Sequence, residues 1–370
     1  MFPFHPCVWI AVGFSAIPIP DKTAAQVKEF NSAQRTAVDK GMTFLRKGQA
    51  ADGTWHHLGQ PPQAQPTEET IGTTALCAYA MVDNGGASFD DPHVVKATAA
   101  IRARVADLIT TQTIALSILF LDRISFDNDD TILLLAGKLL QGQHMTGGWG
   151  KHCPRREGEA EDGYNTFHAV LALNIARRHN VKVSLVLPPV EKYYRENQQK
   201  DGGWGLRFAV GPDNPSTPAM TCAGLLGLAY SYRKEWIREA VFSNLAVDPS
   251  VYRREPKVDP QIRRARDFLA KHLAQSPRPE LADPFFLWTL DRICMIYGQP
   301  HFNGIPWYEW GAKALLSVQQ ANGSWTGGTR GSYHNTALAL LFVRKPYDDI
   351  EIEGCEFPLP PKESRKGQKK

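Results

Sequence analysis

No Cys-x-x-Cys pair and no dense run of cysteines occurs in this sequence; Cys7, Cys77, Cys153, Cys222, Cys294 and Cys355 stand singly. That spacing argues against a disulfide framework or a thiolate metal site and leaves isolated core or surface thiols. Beyond the first twenty residues there is no uncharged apolar run long enough to span a bilayer. The apolar stretch 7–19 has the look of a signal-peptide core, yet no Lys or Arg precedes it and Pro3, Pro6, Pro18 and Pro20 interrupt it. Residues 1–27 are therefore read as an N-terminal segment with a weak signal-peptide character, and both export and a cytoplasmic location stay open.

A basic body is lacking as well. The formal charge is +4, and between Lys362 and Lys370 five cations (Lys362, Arg365, Lys366, Lys369, Lys370) against one anion (Glu363) already supply it. The remainder is neutral, so no nucleic-acid partner is expected. With 43% apolar and 22% charged residues, the body has the composition of an ordinary folded domain. Residues 347–370, acidic and then rich in Pro and Lys, read as a loose charged tail.

What the chain does have is a repeat. Gln, three residues, Gly, one residue and Trp occur at Gln49-Gly53-Trp55, Gln143-Gly147-Trp149, Gln198-Gly202-Trp204 and Gln319-Gly323-Trp325. The gaps between successive Trp residues are 94, 55 and 121 residues. If one unit is about 50–60 residues long, the first and last gaps each hide a unit without the motif. Helical pairs at 94–109 with 113–124, and at 261–273 with 285–297, fill those gaps, which makes six units. Register supports the hidden ones: Ala115, Leu116, Leu119 and Phe120 align with Ala337, Leu338, Leu341 and Phe342, and Leu121-Asp-Arg-Ile124 recurs as Leu290-Asp-Arg-Ile293. The segment 234–245 is left over as an extra helix or long connection.

Each unit pairs an amphipathic helix (30–45, 131–140, 190–197, 310–318) with a more uniformly apolar one (73–82, 166–176, 217–232, 336–343). A helix apolar on one side packs as an outer layer, whereas one apolar all round must be covered on most sides. Two concentric rings of six helices satisfy both. In the turn, Gly ends a helix and tolerates positive φ, the Trp ring wedges between hairpins with its N–H on a carbonyl, and Gln bonds the backbone of the adjoining helix end.

These Gln-x-x-x-Gly-x-Trp turns, followed by helices such as Thr336-Ala-Leu-Ala-Leu340, resemble the prenyltransferase and squalene-oxidase repeats, the QW motifs of squalene-type cyclases. The resemblance covers roughly residues 30–345 and implies one all-α domain over 28–346, an α6/α6 toroid. That superfamily also includes protein prenyltransferase β subunits and complement-like thioester domains, so fold alone leaves function open.

The resemblance directs attention to an Asp-x-Asp-Asp-Thr motif whose central acid protonates an alkene or epoxide in class II cyclases, and Asp127-Asn-Asp129-Asp130-Thr131 matches it as a string. Its register differs. The family motif opens an inner helix after a turn, as Thr166 and Thr221 do 17 residues after Trp149 and Trp204, whereas Thr131 lies 18 residues before Trp149. An acidic N-cap is the competing account of these residues. In the inner-helix register the chain offers Asp162-Gly-Tyr-Asn-Thr166, where Asp162 stands alone, and Ser332-Tyr-His-Asn-Thr336. The candidate acids are thus Asp127, Asp129, Asp130 and Asp162.

Neither the Asp-x-Cys of zinc prenyltransferases nor the Cys-Gly-Glu-Gln of thioester domains occurs here. The irregular cluster His152, Cys153, Asp162 and His168 is not read as a metal site, and no metal or cofactor is expected. Tyr164, His168, Trp288, Tyr333 and His334 are candidates to line a cavity with aromatic faces. Glu68-Glu-Thr70 reads as capping, and Asp122-Arg123 and Asp291-Arg292 as ion pairs between hairpins. The leading functional expectation is a repeat protein with an apolar central cavity for an isoprenoid-like or other hydrophobic ligand, or a partner, without standard cyclase chemistry. The alternatives are a class II isoprenoid cyclase using the 127–130 acids, and a non-catalytic platform.

Overall fold

The structure is a computed structural model; it describes residues 24–56, 65–124, 128–183, 186–207, 209–231, 259–275, 282–326 and 331–344. Twelve α-helices lie among them: α1 (Ala24–Gly48), α2 (Glu68–Asp83), α3 (Pro92–Arg102), α4 (Thr111–Ile124), α5 (Asp129–Gly142), α6 (Gly163–Ala176), α7 (Leu187–Glu196), α8 (Pro218–Ser231), α9 (Pro260–Leu273), α10 (Pro284–Tyr297), α11 (Trp307–Leu316) and α12 (Ser332–Val343). A two-stranded ribbon, His301–Phe302 paired with Ile305–Pro306, links α10 to α11. None of the helices is long and apolar enough to cross a membrane.

The even-numbered helices close a ring. α2 packs on α4, α4 on α6, α6 on α8, α8 on α10, α10 on α12, and α12 returns to α2. The odd-numbered helices lie outside: α3 covers α2, α5 covers α4 and α6, α7 and α9 cover α8, α11 covers α12, and α1 crosses the closure onto α12. This is an α6/α6 toroid, and burial explains why the helices sort as they do. In α2 twelve successive residues, Thr70 to Met81, are buried, so every face of that helix is covered. In α3 only Val94, Ala97 and Ile101 are buried, and in α9 Ile262, Ala265, Leu269, Ala270 and Leu273, the one-sided stripe of a covering layer.

Helix starts are fixed by local chemistry. Asp91, Asp259 and Asp283 each cap a helix whose first residue is proline (Pro92, Pro260, Pro284), a combination that supplies an acceptor and a preset φ. The outer helix expected over 94–109 is shorter than its apolar pattern, since α3 stops at Arg102 and Val105–Asp107 form a separate 3₁₀ turn. The segment 234–245, the N-terminal residues 1–23 and the tail 347–370 lie outside the described residues.

The four Gln-Gly-Trp turns have one geometry. The indole N–H groups of Trp55, Trp149, Trp204 and Trp325 donate to Leu45, Leu139, Tyr194 and Leu315 carbonyls at 2.7–2.9 Å, each ten residues back. The Trp backbone N–H groups donate to Thr74, Thr166, Thr221 and Thr336 hydroxyls of the following inner helix. Each Gln amide donates twice, once within its own turn and once to the outer helix of the next unit or the residue leading into it: His93, Val186, Gln261 and, from Gln319, Ala37 of α1. The glycines have φ of +86° to +106° and lie against the backbone of those helices. A Cβ at Gly147 would stand 2.2 Å from the Pro189 carbonyl oxygen. Gly147→Ala is accordingly expected to lower unfolding free energy by about 1–3 kcal/mol from backbone conformation and more from the clash. A urea melt with an unchanged midpoint would refute this.

Candidate functional site

The two rims of the ring differ in chemistry. At the rim where inner helices begin, α6 and α10 bring aromatic rings together. Tyr164, Phe167 and His168 of α6 meet Phe285 and Trp288 of α10 at centroid separations of 4.9–6.0 Å, with His168 stacked on Phe285 at an interplanar angle of 10°. α8 stands between α6 and α10 in the ring, so these contacts cross the lumen. Tyr164 and Phe285 are half-buried, whereas Phe167, His168 and Trp288 are buried. The His168 Nδ1 lies 2.8 Å from the Tyr164 carbonyl; donation there fixes the ring as the tautomer with hydrogen on Nδ1.

The Trp288 indole differs from five others in the chain. Those of Trp55, Trp149, Trp204, Trp310 and Trp325 each donate to a backbone carbonyl. The buried Trp288 N–H has no acceptor among the described residues. Leaving such a donor unpaired costs about 1–3 kcal/mol.

At the opposite rim, where inner helices end, ion pairs run from helix to helix. Asp83 at the end of α2 meets Arg123 of α4 at 3.1 Å and Arg344 beyond α12, and Arg344 also approaches Asp291 of α10. Asp291 pairs with its neighbour Arg292. Asp122 of α4 accepts from Arg178 at 3.2 Å and faces His179 Nε2 at 2.9 Å, both residues following α6. The other ring nitrogen of His179 lies 2.5 Å from the Asp129 carboxylate. With a carboxylate at each nitrogen, only the imidazolium can donate to both. The Asp122 bond, helped by Asp129 and opposed by burial, raises the His179 pKa.

The expected acids fall on this second rim or at a helix start. Asp129 and Asp130 open α5 and are exposed, and Asp127 lies outside the described residues. Asp129 is bound by His179, and the cap position belongs to Asn128, whose side chain donates to the Leu121 carbonyl and accepts from Arg102. Asp162 caps α6, accepting from the Asn165 backbone and side-chain N–H groups at 2.7 Å each. His152 lies 3.0 Å from Glu159, and Cys153 is buried against the Thr111 hydroxyl, with burial pushing its thiol up to about 12. Among the described residues no group of three or more His, Cys, Asp or Glu is placed to hold a metal ion.

Of the cavity candidates, the structure brings Tyr164, His168 and Trp288 into one cluster. Tyr333 packs instead on Phe44 of α1 at 5.1 Å and close to Gly48. His334 is buried in α12. Sequence reasoning missed Phe167 and Phe285, which look like ordinary apolar positions. It also missed His179, signalled only by the basic run Arg177-Arg178-His179 at a helix end. Glu68 caps at a distance: Thr67 caps α2, while the Glu68 carboxylate accepts from the Ile109 and Thr110 N–H groups just before α4.

Neither a family model nor a curated protein matches the chain. Solved structures do. The type II terpene cyclase MstE from Scytonema, as a variant in complex with geranylgeranyl dihydroxybenzoate, is 12% identical and covers 86% of this chain and 98% of its own, with a TM-score of 0.56. A variant with the product merosterolic acid A matches at 11% identity, 85% and 97% coverage and a TM-score of 0.56. The apo enzyme matches at 13% identity, 85% and 98% coverage and a TM-score of 0.53. The chain has the terpenoid-cyclase α/α toroid fold. Within that toroid the ring is covered on all faces through the middle turns of its inner helices, as the buried runs of α2, α4 and α12 show. Side chains with partial exposure lie towards the helix ends, among them Tyr164, Phe285 and Tyr333 where inner helices begin.

Proposed function

We propose that this terpenoid-cyclase-like toroid binds an isoprenoid-like or similarly hydrophobic small molecule at the aromatic mouth where α6 and α10 meet, without the protonation chemistry of a class II cyclase. The observation that carries the reading is the cross-lumen cluster of Tyr164, Phe167, His168, Phe285 and Trp288, apolar and half-open at one end. The solved neighbours named above hold a geranylgeranyl substrate and its product, which is consistent with such a ligand in a ring of this kind.

The exposure of Asp129 and Asp130 speaks against the cyclase alternative. An acid that protonates an alkene must be kept protonated at neutral pH by burial or by neighbouring carboxylates. Asp129 instead is exposed to solvent, lies on an outer helix and is paired with His179. The platform reading draws on a different observation, the burial of the inner helices through their middle turns.

Incubation with squalene and with prenyl diphosphates, followed by mass spectrometry of products and bound lipid, separates the three. The expected result is bound prenyl compound without conversion, in wild type and in Asp129→Asn alike. Turnover lost in Asp129→Asn would establish the cyclase, and no bound lipid would establish the platform.

A further inference from the structure

We infer that the ligand of this mouth is a neutral prenyl compound carrying one oxygen acceptor, an alcohol, ketone or quinone, whose oxygen takes the Trp288 N–H. The inference rests on the reading above and narrows it to one chemical class. Three observations lead to it.

The first is the unpaired donor. Trp288 is fully buried, its N–H has no acceptor among the described residues, and five other indoles of the chain each have one. A hydrocarbon would leave that donor unpaired, whereas an oxygen on an otherwise apolar ligand satisfies it.

The second is charge. No Lys or Arg is among the five ring residues, and the residues that cap their two helices are carboxylates, Asp162 two positions before Tyr164 and Asp283 two positions before Phe285. Both already bind the first N–H groups of α6 and α10. The helix ends that would otherwise attract an anion are thus occupied by protein carboxylates, and a diphosphate would meet like charge there.

The third is access. Tyr164 and Phe285 are half-buried with centroids 4.9 Å apart, and Phe285 lies 6.2 Å from the buried Trp288 ring. A ligand reaches the N–H by turning these two rings aside, and their faces then pack on its chain.

The test compares geranylgeraniol, its diphosphate and a hydrocarbon of matched length by equilibrium binding to the full chain. The alcohol is expected to bind roughly 10-fold tighter than the hydrocarbon, the value of one net hydrogen bond, and tighter than the diphosphate. In Trp288→Phe the alcohol should fall to the level of the hydrocarbon, whose own affinity changes little. Because that variant removes a core indole, the wild type provides a second readout: the indole N–H resonance of Trp288 should move downfield with the alcohol and not with the hydrocarbon. Equal binding of alcohol and hydrocarbon, preference for the diphosphate, or an unmoved resonance would overturn the inference while leaving hydrophobic binding in place. Absence of binding by all three would overturn both.

Discussion

His179→Ala should lower the unfolding free energy by about 3–5 kcal/mol, the range for breaking a buried ion pair by removing one partner. His179 and Asp122 side chains are each only 2% exposed, so the substitution leaves the Asp122 carboxylate in the interior without its imidazole partner. Asp129→Asn, on a carboxylate 59% exposed, should cost about 1 kcal/mol or less. Urea melts at pH 6 measure both, and equal costs for the two variants would mean that Asp122 does not depend on His179.

The same cluster sets a pH dependence. The folded-state pKa of His179 is raised above its unfolded value of about 6.5. Its contribution is therefore complete below about pH 6.5 and is lost as pH rises through the folded pKa. Wild-type stability should decline across that window more steeply than that of His179→Ala, in which this component is gone. Parallel pH profiles for the two proteins would exclude an imidazolium at this position.

The second large effect is expected at the closure of the ring. Trp325 is 1% exposed, donates to the Leu315 carbonyl at 2.9 Å and lies against Gly41 of α1, while its turn bonds Ala37 and packs on Lys40 of the same helix. Trp325→Ala removes the largest side chain holding the last unit to the first, at a cost of about 3–5 kcal/mol. The loss should be local as well as global: amide exchange should accelerate in α1 and α12 before α5 and α6. Trp149→Ala, at the equivalent turn inside the chain, should instead loosen α7. A uniform rise in exchange in both variants would show that the turns do not act as separate joints. Trp325→Phe, which keeps a ring and loses the N–H bond, should fall between wild type and Ala.

The turns were legible because their chemistry is local. Gln, Gly and Trp at fixed spacing name a backbone conformation, a donor and a wedge, and the structure repeats those roles four times with the same partners. The two units without the motif were legible for another reason. An inner helix of a closed ring is apolar on every face, and 113–124 and 285–297 carry that signature whether or not a Trp precedes them.

The site was legible only in part. Tyr164, His168 and Trp288 could be nominated from their places on inner helices, but Tyr333, chosen by the same logic, turns towards α1. Position along a helix fixes which rim a residue is near, and its angle about the helix decides what it meets. The Asp127–Asp130 string shows the same limit, since its register placed it on an outer helix, while the imidazole that Asp129 faces comes from 50 residues downstream.

The sequence by itself determined the count of six hairpins, the sorting of helices into inner and outer layers, and the joints between them, because each rests on spacing, apolar periodicity or a turn residue. Only the tertiary structure decided that α6 and α10 touch across the lumen, that the Trp288 indole is buried without an acceptor among the described residues, and that Asp122, His179 and Asp129 share a proton-bearing cluster. Those are contacts between residues distant in the chain, and their energies depend on burial and on the direction in which each side chain points.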